Sequence, residues 1–510
     1  MLAKINSVSL YGLEAYPVFV EADISNGLPG FDIVGLPDVA VRESKERVKA
    51  AIKNSGFHFP AKRVVINLAP ADLKKDGTLL DLPIAVALLI ATEQLNLGNA
   101  DEVYYFLGEL SLDGSISRVN GVLPLVSGIG KLHHNAVVFL PPANGAEGAL
   151  DGRVKVIAPQ NLKELVNFFH GEVLLQPQTT KEEDFTFDEI HYQGSPDFCD
   201  IKGQQGVKRG LEIAAAGGHN VLMMGVPGSG KTLLARAMPT ILPPLTKEEA
   251  LECTCLYSLA GELGDKHLIK QRPFRAPHHT SSAVSLIGGG TYPKPGEISM
   301  AYHGILFLDE MVEFPKNVLQ VLRQPMEDRV IHVSRAVGSF VFPADFQLIG
   351  ASNPCPCGYY GDPKKECTCT QSQIKKYFNR LSGPLLDRID LQIEVGSVAF
   401  AELHTDVTEE SSATVRKRVI AGREVQRSRY QGLNFSTNAG LERKYLDEFC
   451  LLDGSTSEIL ERIFNKMHLS ARAHDRILKV ARTIADLDGA TNIETTHILE
   501  AVQYRSLDRL

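Results

Sequence analysis

The sequence has no excess of positive charge; its formal net charge is −8. That excludes a chain that coats nucleic acid over its whole surface, so any nucleic-acid contact must come from a local patch. There is also no apolar run long enough to cross a bilayer. The most apolar stretch, Leu79 to Ala91, is short and interrupted by Asp81 and Pro83. The N-terminal residues Met1-Leu-Ala-Lys-Ile-Asn-Ser-Val8 lack the apolar core of a secretory leader. A cytoplasmic protein with no membrane partner is therefore expected. Cysteine is sparse and uneven, with four of the eight falling between Cys355 and Cys369. In a reducing compartment such a cluster suggests metal before disulfide. The remaining composition, 44% apolar and 22% charged over 510 residues, is that of a soluble globular chain of roughly three domains, at about 100–200 residues each.

The chain divides by pattern. Residues 1–170 read as an α/β domain, with strands at Val8–Leu10, Val18–Ala22 and Val64–Asn67 and an amphipathic helix over Asp38–Ser55. Eight acidic residues against Lys181 alone between Glu172 and Asp200 predict a solvated linker over 171–197. A second α/β domain is expected over 198–396. Beyond 397 the spacing turns helical, through 408–431, 455–467, 469–488 and Thr491–Val502, which predicts a helical domain to residue 510.

Chemistry concentrates in the second domain. Gly225-Val226-Pro227-Gly228-Ser229-Gly230-Lys231-Thr232 follows an apolar run, His219 to Met224, and precedes a helix-forming run, Leu233 to Met238. Strand, glycine loop and helix in that order make a phosphate-binding loop whose backbone N–H groups face an anion. Lys231 adds a point charge for the β- and γ-phosphates of ATP, and Thr232 can place its hydroxyl on Mg²⁺. Ile305-Leu-Phe-Leu308 then ends in Asp309-Glu310, a buried strand with carboxylates at its C-terminal end. Asp309 is expected in the Mg²⁺ shell and Glu310 as the group that orients and deprotonates water. Asn353, just past Phe346–Ala351, could reach the γ-phosphate, although Asn before Pro354 is also a good turn former. Leu391–Val395 fits the same sheet.

The interval from Lys231 to Asp309 is long for neighbouring parts of one sheet, so something is inserted. Residues 266–296 hold Lys266, Lys270, Arg272, Arg275 and Lys294 with no acidic residue, plus His267, His278 and His279, and a Gly-rich tip from Leu286 to Gly296. A second insert, Arg329 to Phe342, alternates like a hairpin with Arg335 near its turn. Such basic inserts suit phosphate tracking along DNA, with Lys294, Arg329 and Arg335 as candidate contacts; the alternative is that they brace the protein. Cys355-Pro-Cys357 and Cys367-Thr-Cys369 are either the four ligands of a tetrahedral Zn²⁺ site or free thiols in a turn.

Leu385-Leu-Asp-Arg388-Ile-Asp390 resembles a motif of the AAA+ ATPases, in the clade of magnesium chelatase motor subunits and MCM helicases. The resemblance implies that Arg388, or Arg380 second, is an arginine finger acting in a neighbouring subunit, and that Arg472 in Leu469-Ser-Ala-Arg472 is a sensor on a helical lid. It implies a ring, most simply a homohexamer. Lys74 to Ile84 and Gly108 to Leu125 are similar to the proteolytic domain of Lon, but the nucleophile's place near Leu79–Asp81 holds no serine and the lysine's place near Leu123 is apolar. A scaffold without peptidase chemistry is expected. Together these features resemble the ComM/YifB, or magnesium-chelatase-like, family of competence proteins over the whole chain. That resemblance implies a DNA branch-migration helicase acting on single-stranded and branched DNA during natural transformation. Two rivals are a chelatase motor for porphyrin metallation, not expected to carry residues 1–170, and a Lon-like ATP-dependent protease.

Overall fold

Four buried apolar strands and one short edge strand build the sheet that carries the glycine loop. In the computed structural model, Phe274–Arg275, Ile305–Leu308, Gln347–Ser352, Val221–Gly225 and Leu391–Val395 lie side by side in that order, every pair parallel. Sheets covered on both faces need apolar residues on both, which is why Val221–Gly225, Ile305–Leu308 and Gln347–Ser352 are buried at every position. Val221–Gly225 has later strands on both sides. It is the switch point, where an open α/β sheet leaves a crevice at its carboxyl edge. The structure describes residues 2–73, 75, 77–98, 101–187, 194–290, 293–335, 338–381, 383–397 and 409–505. Lys74, Asp188, Glu189, Thr291, Tyr292, Ala336, Val337 and residues 398–408, all parts of runs read from the sequence, lie outside these.

Two compact units emerge: residues 1–186 with 247–270, and 187–246 with 271–510. The division departs from the sequence reading at two places. First, the helix Lys247–Ala260 and the residues after it, expected in the ATPase domain, belong to the N-terminal unit. There the Gly121 N–H donates to the Ser258 carbonyl (3.1 Å) and the Ser258 hydroxyl bonds the Glu147 carboxylate. Second, the acidic linker does not float free up to residue 186. Gln178 N–H donates to the Val156 carbonyl (2.8 Å), and Asp184 meets His267 at 3.4 Å.

The N-terminal unit is a mixed seven-stranded sheet, ordered Gly30–Val34, Arg63–Ala69, Glu14–Ser25, Leu2–Tyr11, Tyr104–Phe106, Val137–Phe139, Lys155–Ile157. Its expected helix runs Val39–Asn54, capped by Asp38, whose carboxylate accepts from the Val41 N–H at 2.7 Å. Asp81 is fully buried on Arg47 (2.8 Å) and Ser44, and Leu123 is buried, with its backbone N–H donating to the Glu147 carboxylate (2.9 Å).

The C-terminal helices Ser412–Arg429, Gly454–Met467, Ala471–Leu487 and Thr495–Gln503 bear out the helical reading and share one apolar core with the five-stranded sheet. One buried carboxylate joins the two. Asp390 accepts from the Asn220 N–H (2.9 Å), immediately before the Val221 strand, and from Arg476 on the Ala471–Leu487 helix. Burial alone would raise its pKa, but Arg476 and His219 hold it well below the usual carboxylate range. Its folded-state pKa is depressed, so its stabilisation is complete above about pH 5, begins to fall near the unfolded value of ~4 and is lost only as pH drops to the depressed folded-state value. Asp390→Asn should cost about 3 kcal/mol, because Arg476 is left without its counter-charge. Thermal unfolding from pH 7 to about pH 2 should show the variant less stable at neutrality and the gap narrowing only below ~4.

Candidate active site

The loop between Val221–Gly225 and the helix starting at Lys231 has its sequence for local reasons. A side chain at Gly225 would strike the Val395 carbonyl oxygen at 2.2 Å, and Gly228 and Gly230 sit at φ +78° and +89°, where L side chains are disfavoured. The loop therefore turns without strain and delivers the first N–H groups of the helix into the crevice. Lys231 is buried beneath it. Its ammonium donates to the carbonyls of Gly225 (2.7 Å) and Val226 (3.0 Å) and lies 3.4 Å from Asn353 Oδ1. Burial pulls its pKa below the ordinary lysine range, while Asp309 and Glu310 work the other way.

The carboxylate pair arrives from the next strand but one. Thr232 donates its hydroxyl to Asp309 Oδ2 at 2.8 Å, so two hard oxygen ligands from separate elements already face one point. Glu310 projects into the open, 56% exposed, from a backbone at φ +50°, a left-handed conformation that non-glycine residues rarely hold. The structure thus brings together Lys231, Thr232, Asp309, Glu310 and Asn353. A phosphate cradle, a lysine, a pair of Mg²⁺ ligands and an exposed carboxylate can together bind and hydrolyse a triphosphate.

The arginines are placed differently. Arg388, expected to reach out of the chain, is buried. It pairs with Glu327 and donates to the Pro384 carbonyl, and its Nε finds no partner among the described residues. Arg380 is half exposed on Glu313 at 2.7 Å. Arg472 is 64% exposed and touches Asp387 at 3.3 Å, while its neighbour Arg476 makes the tighter contacts, to the Asp387 carbonyl (2.6 Å) and Asp390.

The basic insert does not form the single patch that its composition suggests. Lys266 and Lys270 belong to the N-terminal unit. Arg272 donates to the carbonyls of Pro243, Pro244 and His303, and Arg275 forms a two-pronged pair with Glu297 (2.6 and 2.9 Å). Arg329 ion-pairs with Asp345 (3.4 Å) and packs at Gly440. Lys294 remains exposed, on a short hairpin pairing Gly288–Gly289 with Lys294–Pro295. Arg335 is exposed at the end of the hairpin Val330–Arg335/Gly338–Pro343, and a Cβ built on Gly289 would lie 2.8 Å from its guanidinium. The two hairpins meet there, with Arg329 at the far base of the second.

One contact was missed in the sequence. His279, four residues after the edge strand Phe274–Arg275, places Nδ1 3.4 Å from Glu310 Oε2, with its ring tilted against that of His278 at 4.1 Å between centroids. Adjacent histidines do not suggest a metal pair on one helix face, and nothing in their spacing points to Glu310. The Gly-rich insert therefore touches the exposed carboxylate of the pair through His279. Glu310→Gln should keep nucleotide binding and lower turnover ~10²–10⁴-fold, the usual worth of a general base. His279→Ala should leave affinity unchanged and raise unstimulated turnover, since the Glu310 carboxylate is then no longer occupied by the imidazole. Phosphate release alongside nucleotide titration checks both.

Comparison with known proteins matches this geometry to a family. A family model described as "Magnesium chelatase, subunit ChlI" matches residues 197–403, and "Magnesium chelatase, subunit ChlI C-terminal" matches 409–505. A third, "Subunit ChlI of Mg-chelatase", matches 20–144. YifB of Salmonella typhimurium is 44% identical over 510 residues, covering 100% of this chain and 98% of that protein. Competence protein ComM of Haemophilus influenzae is 43% identical over 512 residues, with the same coverage. The magnesium-chelatase 67 kDa subunit of Heliobacterium mobile is 28% identical over 190 residues, 32% of this chain and 28% of that protein. On full-length identity and on matches to both units, the chain belongs to the ComM/YifB family of magnesium-chelatase-like proteins.

Proposed function

We propose that the protein is an ATP-driven DNA branch-migration helicase, working on recombination intermediates during natural transformation as a homohexameric ring with DNA in its pore. The observation that carries the reading is the pairing of a phosphate loop and its carboxylates with two exposed cationic hairpins that meet at Gly289, the first insert also touching Glu310 through His279. A motor needs such a link between hydrolysis and grip. Full-length similarity to a protein named for competence supports DNA as the thing gripped.

In this reading Gly225 to Thr232 cradle the phosphates of ATP. Thr232 and Asp309 hold Mg²⁺, which neutralises charge on the phosphates. Lys231 exchanges its loop carbonyls for phosphate oxygens, Asn353 contacts the γ-phosphate, and Glu310 takes a proton from the attacking water. Arg388, with Arg380 second, supplies positive charge to a neighbouring subunit's site, and Arg472 reports nucleotide to the helical lid. The pair Arg388 makes with Glu327 must then open when the ring closes. The N-terminal unit, Lon-like in this reading and without a nucleophile near Leu79–Asp81, serves assembly.

Strand exchange on a three-stranded junction tests the proposal. Wild type should extend exchange with ATP, and Lys231→Ala should not, with affinity for ATP reduced roughly 10- to 100-fold by loss of a charged hydrogen bond. ATPase activity indifferent to branched DNA would favour a chelatase-type motor instead. Lys294→Ala and Arg335→Ala should each weaken DNA binding at all sequences and lower the salt slope by about 1, whereas Arg329→Ala should leave the slope alone.

A mixed-ring experiment tests the finger. Arg388→Ala should lower turnover by ~10³-fold or more while ATP still binds. Mixing it with Lys231→Ala subunits should restore activity, because each supplies what its neighbour lacks. Activity that does not recover on mixing would place Arg388 in a purely internal role.

A further inference from the structure

We propose that Cys355, Cys357, Cys367 and Cys369 bind one zinc ion as a tetrahedral tetrathiolate, a metal clip that braces the phosphate loop. All four sulfurs lie within 4.8 Å of one another. Cys355 to Cys357, Cys357 to Cys367 and Cys355 to Cys367 are separated by 3.3, 3.5 and 3.7 Å. Zinc bound at about 2.3 Å to four thiolates sets its ligand sulfurs ~3.8 Å apart, so the thiols stand close to the edges of a zinc tetrahedron. A disulfide would need a pair at ~2.05 Å, and it would leave the other two sulfurs of so tight a cluster unexplained.

The surroundings are those of a thiolate site. The Tyr360 N–H donates to Cys355 Sγ at 3.3 Å, and the Cys369 N–H donates to Cys367 Sγ at 3.4 Å. Backbone N–H groups aimed at sulfur fix the direction of its lone pairs. One donor comes from each half of the cluster, so both Cys-x-Cys segments are shaped toward the same point. Zinc with four thiolates carries a net negative charge, and Lys364 and Lys365 lie in the connecting loop, with Lys365 over the Tyr359 ring at 3.8 Å.

The clip reaches the nucleotide site on two sides. Asn353, which lies against Lys231, is two residues before Cys355. Gly358, inside the cluster at φ +87°, packs so closely on Pro227 of the phosphate loop that a Cβ there would fall 2.8 Å from the proline ring. Metal binding would therefore fix Asn353 and the outer wall of the phosphate loop together.

The full-length chain, purified without chelator, should carry about one zinc ion per chain by elemental analysis, and Cys367→Ser and Cys369→Ser should carry none. Since a variant can lose metal by misfolding, metal-free wild type should also be titrated with Co²⁺. The expected result is the visible absorption of tetrahedral cobalt thiolate, saturating at about one equivalent and erased by zinc. Wild type without zinc and without cobalt bands would overturn the site, as would undiminished zinc in Cys367→Ser. For the bracing role, removing the metal should raise the Kd for MgATP several-fold, and adding zinc back should restore it. A metal-free chain that binds MgATP as tightly as the loaded one would sink that half of the proposal. ATPase activity without any effect of DNA would count against the helicase reading and leave the metal site standing.

Discussion

The buried carboxylate of Asp390 is the constraint on which the nucleotide-binding unit depends. It stands at the start of the Leu391–Val395 strand and accepts from the Asn220 backbone, one residue before the strand that feeds the phosphate loop. It also takes the guanidinium of Arg476 from the helical lid. A charge buried this deeply is stable only if it is paired and hydrogen-bonded, so the sheet and the Ala471–Leu487 helix cannot separate cheaply. Arg472 rides on that same helix, which gives it a fixed distance from the sheet while leaving its own side chain free to reorient.

Around this frame the site keeps its charges satisfied within the chain. Lys231 is solvated by carbonyls of its own loop, Thr232 by Asp309, and Glu310 by His279. Each of these contacts uses groups that a triphosphate and its metal would also use, so ligand binding exchanges partners and does not have to create them. The His279 contact has the widest reach. It ties the residue best placed to activate water to the first residues of an insert whose tip lies against a second hairpin.

Much of this was legible in the chain. Glycine positions, Lys231, Asp309–Glu310 and four of the sheet's strands follow from local rules, because a phosphate loop needs its strand, its turn residues and its helix in immediate succession. The helix read over Asp38–Ser55 and the helical C-terminal segments were readable from local spacing too. The basic insert was not. Arg272, Arg275 and Arg329 look like a cationic patch in sequence, yet each is consumed by a carbonyl or a carboxylate far away in the chain. Arg388 is of the same kind: its motif is local, while its burial on Glu327 is not.

The sequence by itself determined which side chains could do phosphate chemistry and in what kind of turn they sit, since those requirements act over a few residues. Tertiary structure decided which charges remain available. Whether a cation is free depends on what the fold brings to it, so Lys294 and Arg335 stay exposed while their neighbours in sequence do not. It also decided that the helix Lys247–Ala260 leaves the nucleotide unit for the N-terminal one, and that four cysteines from two short segments converge on a single point.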